Sequence, residues 1–322
     1  MQPAHEHPAV EDWFRRKTFD ASLLSREELA RRKRSSGQSV TVCLPTLNEE
    51  GTVGPICSEI RSALIEETGI VDQLLVVDSG SSDGSIDAAR ASGATVHRAA
   101  EILPDEGDHP GKGEALWKSL AVAEGDIVVW LDSDVTNFNA CFVTNLLNPF
   151  FVDDEILMTK GFYQRRIEGV PEPVASGGRV TELVVRPLLH LLYPPLAGLI
   201  QPLSGEYAGR RDALMRLPFF TGYAVEIGLL MDLVEIFSLE GLGQVDLGLR
   251  VHRNRDTFAL GRMSHEIMHA FFTKLERNGK AAFRDPLPEE LVQFLPGAEG
   301  PAPLPSARPL VVRPPMAGVL AP

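Results

Sequence analysis

Residues 127–134 read Ile-Val-Val-Trp-Leu-Asp-Ser-Asp, and this stretch decides the fold. Five apolar residues in a row, three of them β-branched, predict a strand that is buried on both faces. The polar triplet Asp132-Ser133-Asp134 follows at once, so it lies where the strand ends. Further predicted strands lie upstream, at residues 40–44, 74–77 and 94–97. Segments of helical periodicity separate them, and this alternation predicts an α/β fold with a mainly parallel sheet covered on both faces.

Polar residues follow three of these strands, and ligands of such sheets bind beyond the carboxyl ends of the strands. The three groups are Asn48-Glu49-Glu50, Asp78-Ser79-Gly80-Ser81 and Asp132-Ser133-Asp134. Two carboxylates one residue apart can face a hard cation that bridges two phosphates of a nucleotide diphosphate. A triplet of this kind is also common on protein surfaces, so its position at a strand end gives it weight.

Two further groups can hold parts of a nucleotide. The segment 78–84 is rich in Gly and Ser and predicts a turn. The carboxylate of Asp78 can also accept hydrogen bonds from a base or a ribose. Lys112 stands between two glycines at the start of a predicted helix, where an anion can bind. A loop lysine is more often simply solvated.

Composition and charge limit the possible functions. The 322 residues include 31 Lys and Arg and 44 Asp and Glu, which gives a formal net charge of −13. This balance argues against broad nucleic-acid binding, which needs a basic surface. We expect no signal peptide, because the N-terminus lacks a basic start followed by an apolar run. We expect no membrane span, because the apolar stretch 188–200 is short and contains prolines. Cys43, Cys57 and Cys141 are scattered, which predicts free, buried thiols and a cytoplasmic location.

The chain divides into four parts by its patterns. Residues 1–38 are predicted to be an N-terminal extension with a short helix, because Ser25 and Glu28 have capping-box spacing. Residues 39–155 carry the alternating pattern. Residues 156–295 contain helical segments at 180–192, 223–239 and 262–278. Residues 296–322 are rich in proline, which predicts an extended or disordered tail.

The order of the motifs carries a resemblance. Residues 45–50 (Pro-Thr-Leu-Asn-Glu-Glu), 78–81 and 132–134 resemble the successive motifs of glycosyltransferases with a single Rossmann-like nucleotide-sugar domain. Five later motifs are similar to those of the glucosyl-3-phosphoglycerate and mannosyl-3-phosphoglycerate synthases. They lie at residues 110–117, 177–183, 201–207, 222–228 and 252–254. The resemblance runs from about residue 39 to residue 256.

The resemblance implies a retaining transferase that moves glucose or mannose from a UDP- or GDP-sugar to the 2-hydroxyl of 3-phosphoglycerate. It leans toward mannose, and it implies a homodimer. The implied nucleotide-sugar contacts are Pro45, Leu47, Glu49, Asp78, Ser81, Lys112, Asp132, Ser133, Tyr223, Glu226 and Arg250. The implied catalytic groups are Lys112, Asp134, Glu226 and the backbone carbonyls near Leu203. Asp134 and His252 are the implied ligands of Mg²⁺ or Mn²⁺, and an imidazole beside a carboxylate also suits Zn²⁺.

The implied acceptor site is Gly178, Arg179, Thr181 and Asn254. Physical chemistry agrees, because Gly177-Gly178 lets backbone N–H groups approach an anion at a helix start. Arg179 adds a forked donor for a phosphate or a carboxylate. The sequence shows no certain nucleophile. For a transferase that retains the configuration of the sugar, this favours attack by the acceptor on the same face from which the diphosphate leaves. Glu226 is the best candidate for a nucleophilic carboxylate, but it can equally position the sugar hydroxyls.

Other functions fit single features of the sequence. His265-Glu266-Ile267-Met268-His269 matches the zinc-peptidase pattern HExxH on a helix. The apolar arc of that helix leaves both histidines on its polar face, and only Glu289 or Glu290 offers a third ligand. A related transferase could act on a lipid phosphate instead. A nucleotide-sugar sensor without turnover is the binding-protein alternative.

Overall fold

The computed structural model describes residues 8–167, 178–252, 256–296, 300–307 and 309–321. An eight-stranded sheet forms its centre, in the order β1-β9-β6-β7-β5-β2-β3-β4. The strands are β1 (Thr18–Phe19), β2 (Val40–Thr46), β3 (Gln73–Asp78), β4 (Thr95–Arg98), β5 (Ile127–Trp130), β6 (Met158–Ile167), β7 (Tyr207–Arg210), β8 (Phe219–Phe220), β9 (Leu242–His252), β10 (Glu290–Leu295), β11 (Ala302–Ala307) and β12 (Val312–Arg313).

The sheet is mainly parallel, as the sequence predicts. Within it, β7 runs antiparallel to both of its neighbours, β5 and β6, and the other neighbouring strands pair in parallel. The four predicted strands are all present as β2, β3, β4 and β5. Their carboxyl ends therefore meet at one edge of the sheet, which places the three polar motifs side by side.

Helices cover both faces of the sheet. They are α1 (Pro8–Lys17), α2 (Arg26–Ser36), α3 (Glu50–Ile60), α4 (Ser85–Ala91), α5 (Lys112–Val122), α6 (Cys141–Leu147), α7 (Arg186–Leu192), α8 (Arg211–Leu214), α9 (Val225–Ile236), α10 (Thr257–Arg277) and α11 (Met316–Val319). The π-helical segments Arg61–Glu66 and Thr181–Val185 extend α3 and precede α7.

Alternation along the strands builds two hydrophobic clusters. On β5, Val128 and Trp130 belong to one cluster, and Ile127 and Val129 belong to the other. This is the period of two that a pleated strand imposes. Helix α5 packs into the first cluster and α3 into the second. Both helices begin at the carboxyl edge of the sheet, so their first residues border the polar motifs.

Both ends of the chain pack on this domain. Trp13 of α1 is fully buried, and its Nε1 donates to the Leu242 carbonyl at 2.8 Å, while β1 pairs with β9. The predicted cap is confirmed, because Ser25 Oγ accepts the Glu28 amide hydrogen at 3.2 Å. The described part of the tail contains two strands, which are paired: β11 with β10, and β12 with β8. It ends in the short helix α11, so an extended or disordered tail is only partly correct. The four-part division of the chain stays a prediction.

Two other expectations concern the surface. No helix in the described ranges is long and apolar enough to cross a bilayer. All three cysteines are free, and Cys43 and Cys57 are buried as expected. Cys141 is exposed, so its predicted burial is wrong. It is the first residue of α6, whose apolar contacts come from the residues that follow it.

Candidate active site

Hydrogen bonds join the ends of β2 and β5. Ser133 Oγ donates to the Pro45 carbonyl at 3.0 Å, and Thr52 Oγ1 donates to the Ser133 carbonyl at 2.5 Å. The neighbouring strand is in register, because Thr46 pairs with Asp78. The loops after three parallel strands are thus locked together. The structure brings the predicted nucleotide residues to one surface.

The Asp78 carboxylate closes its own turn. Asp78 is 1% exposed and accepts hydrogen bonds from the amides of Gly80, at 3.0 Å, and Ser81, at 3.1 Å. Ser81 Oγ in turn accepts the Asn48 amide hydrogen at 2.9 Å. Asn48 has φ 56°, a left-handed conformation that asparagine tolerates. The turn therefore presents its backbone, together with the half-exposed Leu47, to the space beside the sheet.

Lys112 lies between two carboxylates. Its Nζ is 2.6 Å from Asp132 Oδ1 and 2.9 Å from Glu226 Oε1. Burial opposes the charge of Lys112, but these two carboxylates outweigh it and hold the lysine pKa well above its ordinary value. Glu226 stands in the first turn of α9 and is buried. The ion pairs therefore join the starts of α5 and α9 to the end of β5.

Arg250 of β9 closes the other side of the Asp132-Ser133-Asp134 motif. Its Nη2 lies 3.1 Å from Asp132 Oδ2 and 2.7 Å from Asp134 Oδ1. Burial raises the pKa of Asp132, but Lys112 and Arg250 outweigh burial and hold that pKa below its ordinary value. The resulting charge network consists of Lys112, Asp132, Asp134, Glu226 and Arg250. It places three carboxylates and two cationic side chains at the predicted nucleotide edge.

The charge network rests on residues that sequence reasoning missed. Arg250 Nη1 donates to the Tyr163 hydroxyl at 2.7 Å and lies 3.2 Å from Glu206 Oε1. Burial raises the pKa of Glu206, which is 0% exposed. Glu206 falls inside the motif at residues 201–207, so that motif could have pointed to it. Tyr163 and Lys160 lie on β6, where no motif marks them.

Lys160 holds the loop that carries Leu203. Its buried Nζ donates to the Ser204 carbonyl at 2.5 Å and lies 4.0 Å from the centre of the Tyr207 ring. In the same loop, a Cβ on Gly205 would lie 2.0 Å from Asp132 Oδ2, so only glycine fits against that carboxylate. The loop therefore contacts the charge network through its backbone. Leu203, which is half-buried, lies next to Ser204.

The predicted acceptor residues begin a helix. Gly178 has φ 87°, the helical conformation starts at Arg179, and Thr181 is 3% exposed. Further along, Arg186 donates to the carbonyls of Leu199 and Ile200, which lead into the loop of Leu203. The helix is thus tied to the loop beside the charge network. Asn254 and the side chain of His252 lie outside the described residues.

Comparisons with known proteins agree with this geometry. The family model for glycosyl transferase family 2 matches residues 41–199. A glucosyl-3-phosphoglycerate synthase of Petrotoga mobilis is 42% identical over 90% of this chain and 90% of its own length. The Mycobacterium tuberculosis glucosyl-3-phosphoglycerate synthase is 46% identical over 81% of this chain and 79% of its own. The chain belongs to the glucosyl-3-phosphoglycerate synthase family of glycosyltransferases. The predicted resemblance is confirmed.

Solved structures of this glycosyltransferase family share the fold. Mannosyl-3-phosphoglycerate synthase from Rubrobacter xylanophilus superposes with a TM-score of 0.90 at 38% identity, covering 97% of this chain and 100% of that one. The M. tuberculosis enzyme in complex with Mn²⁺, UDP-glucose and phosphoglyceric acid gives a TM-score of 0.79 at 42% identity, covering 92% and 95%. The predicted Rossmann-like glycosyltransferase fold is therefore confirmed.

In this glycosyltransferase the HExxH motif does not form a peptidase site. His265 and His269 are half-buried, and His269 Nε2 lies 3.2 Å from the Leu287 carbonyl. Both histidines lie outside the fully buried residues of α10, and the segment before β10 contacts them. Glu266 is 9% exposed and accepts the Tyr223 amide hydrogen. In the described part of the chain, no group of three or more His, Cys, Asp or Glu side chains could hold a metal.

Proposed function

We propose that the protein transfers glucose from UDP-glucose to the 2-hydroxyl of 3-phosphoglycerate, with retention at the anomeric carbon. The observation that carries this proposal is the charge network at the carboxyl edge of a mainly parallel sheet. Ligands bind at that edge in such folds. Family membership supplies the reaction class, and a metal-bound relative with both substrates supports the choice of substrates.

The charge network suits a divalent cation and a diphosphate. Asp134 has a side chain 36% exposed, and a carboxylate at a strand end is a ligand type that Mg²⁺ and Mn²⁺ accept. We propose that Asp134 and His252 hold the metal, and an imidazole ligand leaves Zn²⁺ chemically possible. When bound, the cation would neutralise charge on the leaving diphosphate. Arg250 now pairs with Asp134, so it is placed to turn to the diphosphate when the metal takes that carboxylate.

The other network residues support the sugar. The ion pair with Lys112 fixes Glu226 as an acceptor for sugar hydroxyls, beside Tyr223. We propose that Pro45, Leu47, Glu49, Asp78, Ser81 and Ser133 surround the nucleotide and that Asp132 orients Lys112. The acceptor hydroxyl attacks the anomeric carbon on the face from which the diphosphate leaves, and the hydroxyl proton passes to the diphosphate. The loop of Leu203, held by Lys160, supports this face with backbone carbonyls.

The acceptor site is proposed at the start of the helix that leads into α7. Gly178, Arg179, Thr181 and Asn254 would bind 3-phosphoglycerate, which carries a phosphate and a carboxylate. The left-handed Gly178 allows backbone N–H groups to converge at the helix start. Arg179 offers two parallel donors to one anion. Tethering through Arg186 keeps this helix beside the loop of Leu203.

The identity of the transferred sugar, glucose or mannose, is the most specific part of the proposal. The relatives at 42% and 46% identity are glucosyl-3-phosphoglycerate synthases, which moves our preference from mannose to glucose. A structure of a mannosyl-3-phosphoglycerate synthase is also similar, so mannose stays in the test. The homodimer and the cytoplasmic location stay predictions.

A donor panel tests the proposal. Purified protein with 3-phosphoglycerate and Mg²⁺ or Mn²⁺ is offered UDP-glucose, GDP-glucose or GDP-mannose, and the product's anomeric configuration is read by NMR. We expect UDP-glucose to give the highest kcat/KM and an α-linked product. Preference for GDP-mannose would correct the sugar. Transfer only to a lipid phosphate, or donor binding without turnover, would replace the proposal by one of the alternatives.

A further inference from the structure

The glutamate of the HExxH motif contacts a segment of the proposed active site. Glu266 lies on the buried face of α10, and its Oε1 accepts the Tyr223 amide hydrogen at 2.5 Å. Its carboxylate also lies against Gly222, where an added Cβ would be 1.7 Å from Oε1. Both contacts fall on the loop 221–224, between β8 and α9. Glu266 therefore holds the backbone that carries Tyr223 and leads into α9, where Glu226 stands in the first turn.

The same loop is also held by the start of α5. The Thr221 carbonyl accepts the Glu114 amide hydrogen at 3.0 Å. Added Cβ atoms on Gly111 and Gly113 would lie 2.6 Å from the Thr221 oxygen and 1.8 Å from the Phe220 oxygen. The loop is thus clamped between α5 and α10. Lys112 lies on the α5 side of the clamp, and its ammonium reaches Glu226.

We propose that Glu266 is a positioning residue for the donor sugar, acting through the Tyr223 amide. This inference rests on the proposed function, since it concerns the fit of the donor. A hydrogen bond to a charged acceptor contributes more than a neutral one, and this one is buried. Without the carboxylate, the loop 221–224 loses its support from α10. Tyr223 and Glu226 then shift relative to Lys112.

Three variants separate this role from general stability. Glu266→Ala removes the acceptor, and Glu266→Gln keeps a carbonyl oxygen at the same length. Gly222→Ala leaves Glu266 in the chain but displaces its carboxylate. The matched control is His265→Gln, one residue away on the same helix. Each protein is tested by steady-state kinetics with donor and acceptor varied in turn, and by hydrogen exchange of the Tyr223 amide.

We expect Glu266→Ala and Gly222→Ala to lower kcat/KM for the donor by roughly tenfold or more, the scale of one charged hydrogen bond. The acceptor KM should change less than twofold. Glu266→Gln should recover most of the loss, and His265→Gln should resemble the wild type. The Tyr223 amide should exchange faster in the alanine variants only. Glu266→Ala and Gly222→Ala remove the same contact. A double variant that carries both should therefore be little worse than either single variant.

Several results would overturn the inference. Equal losses in Glu266→Gln and Glu266→Ala, a larger change in acceptor KM than in donor KM, or unaltered exchange at Tyr223 would each do so. If Glu266→Ala does not fold, Gly222→Ala and Glu266→Gln still give the comparison. If the wild type transfers no sugar, the proposed function fails, whereas the exchange measurement still tests the contact between Glu266 and Tyr223.

Discussion

Arg250 and Asp134 form an ion pair of 2.7 Å at the carboxyl edge of the sheet, where we propose that the metal binds. The same guanidinium reaches Asp132 and Glu206. A cation bound at Asp134 would compete with Arg250 for one of three carboxylates and would leave the other two in reach of the guanidinium. Arg250 can release Asp134 without becoming an unpaired buried charge, a state that is costly. The site can thus exchange an internal cation for a metal ion.

The first prediction concerns Asp134. Its side chain is partly exposed and supports no hydrophobic cluster, so Asp134→Ala should fold normally and lose most transferase activity, on the order of a hundredfold. Wild-type activity should disappear in EDTA and return with Mg²⁺ or Mn²⁺. Initial rates and thermal unfolding check both statements. The exposed Asp154→Ala controls for the loss of one acidic charge away from the site. Full activity of metal-free enzyme would contradict the prediction.

The second prediction concerns the acceptor. Arg179→Ala should raise the KM for 3-phosphoglycerate by roughly tenfold to 150-fold, since a charged hydrogen bond contributes about 1.5–3 kcal/mol. Arg179→Lys keeps the charge but loses the fork, so it should be impaired less. The donor KM should change little, because the proposed donor residues lie on other loops.

Two measurements test the Arg179 assignment. Steady-state kinetics with each substrate varied in turn gives both KM values, and slow hydrolysis of UDP-glucose without acceptor should be spared. Glu182→Gln, three residues along the same helix, is the matched control, because Glu182 pairs with Arg186 at an exposed position. A weaker donor and an unchanged acceptor KM in Arg179→Ala would show that the site is wrongly assigned.

The strands and their polar ends could be predicted because their signals are local. Residues 127–131 are an uninterrupted apolar run, and Asp132 follows it directly. The polar groups beside Asp132 follow other strands of the same repeating pattern, and the parallel topology brings the ends of these strands together. The helix start at Lys112 was predicted in the same way, but its ion pair with Asp132 was not.

The supporting contacts were missed because they depend on long-range packing. Glu266 and Tyr223 are 43 residues apart, and their contact exists only once α10 packs beside the loop 221–224. In the sequence, Lys160 is an ordinary lysine in a strand, and it becomes buried only in the assembled sheet. The tail was predicted from proline content, which indicates extended backbone and carries no information about a partner such as β8.

The third prediction concerns the tail. Arg313 of β12 donates to both carboxylate oxygens of Glu114 and to the Glu106 carbonyl, and both charged side chains are buried. Removing Arg313 leaves Lys118, whose Nζ lies 3.5 Å from Glu114 Oε1, as the remaining cation beside this buried carboxylate. Breaking a buried pair typically costs up to about 3–5 kcal/mol. Arg313→Ala should therefore lower the unfolding free energy by that order. Activity should fall as well, because Glu114 lies one turn or less from Lys112.

Chemical denaturation measures the stability change. Arg34→Ala removes an exposed arginine and controls for charge. The double variant Arg313→Met with Glu114→Gln should be less destabilised than Arg313→Ala, since no buried charge then lacks its partner. If Arg313→Ala unfolds like the wild type, the tail does not support α5 in solution.

The last prediction is a pH dependence of stability. Burial lowers the pKa of Lys160 to about 7, whereas an unfolded lysine has a pKa near 10.4. Between these values the unfolded chain holds one proton more than the folded chain at this position. The contribution of Lys160 to the unfolding free energy therefore rises with pH, by up to about 1.4 kcal/mol per pH unit, and is constant below pH 7.

Lys160→Met should remove this rise while keeping most of the buried volume. Urea unfolding of metal-free wild type and variant at pH 7, 8 and 9 gives the two dependences, and their difference isolates Lys160. We expect the wild type to gain stability relative to Lys160→Met at each step upward in pH. Lys280→Met, at a position 42% exposed, controls for the loss of one lysine charge. Parallel curves for wild type and Lys160→Met would mean that Lys160 stays protonated throughout, held by the carboxylates of the charge network.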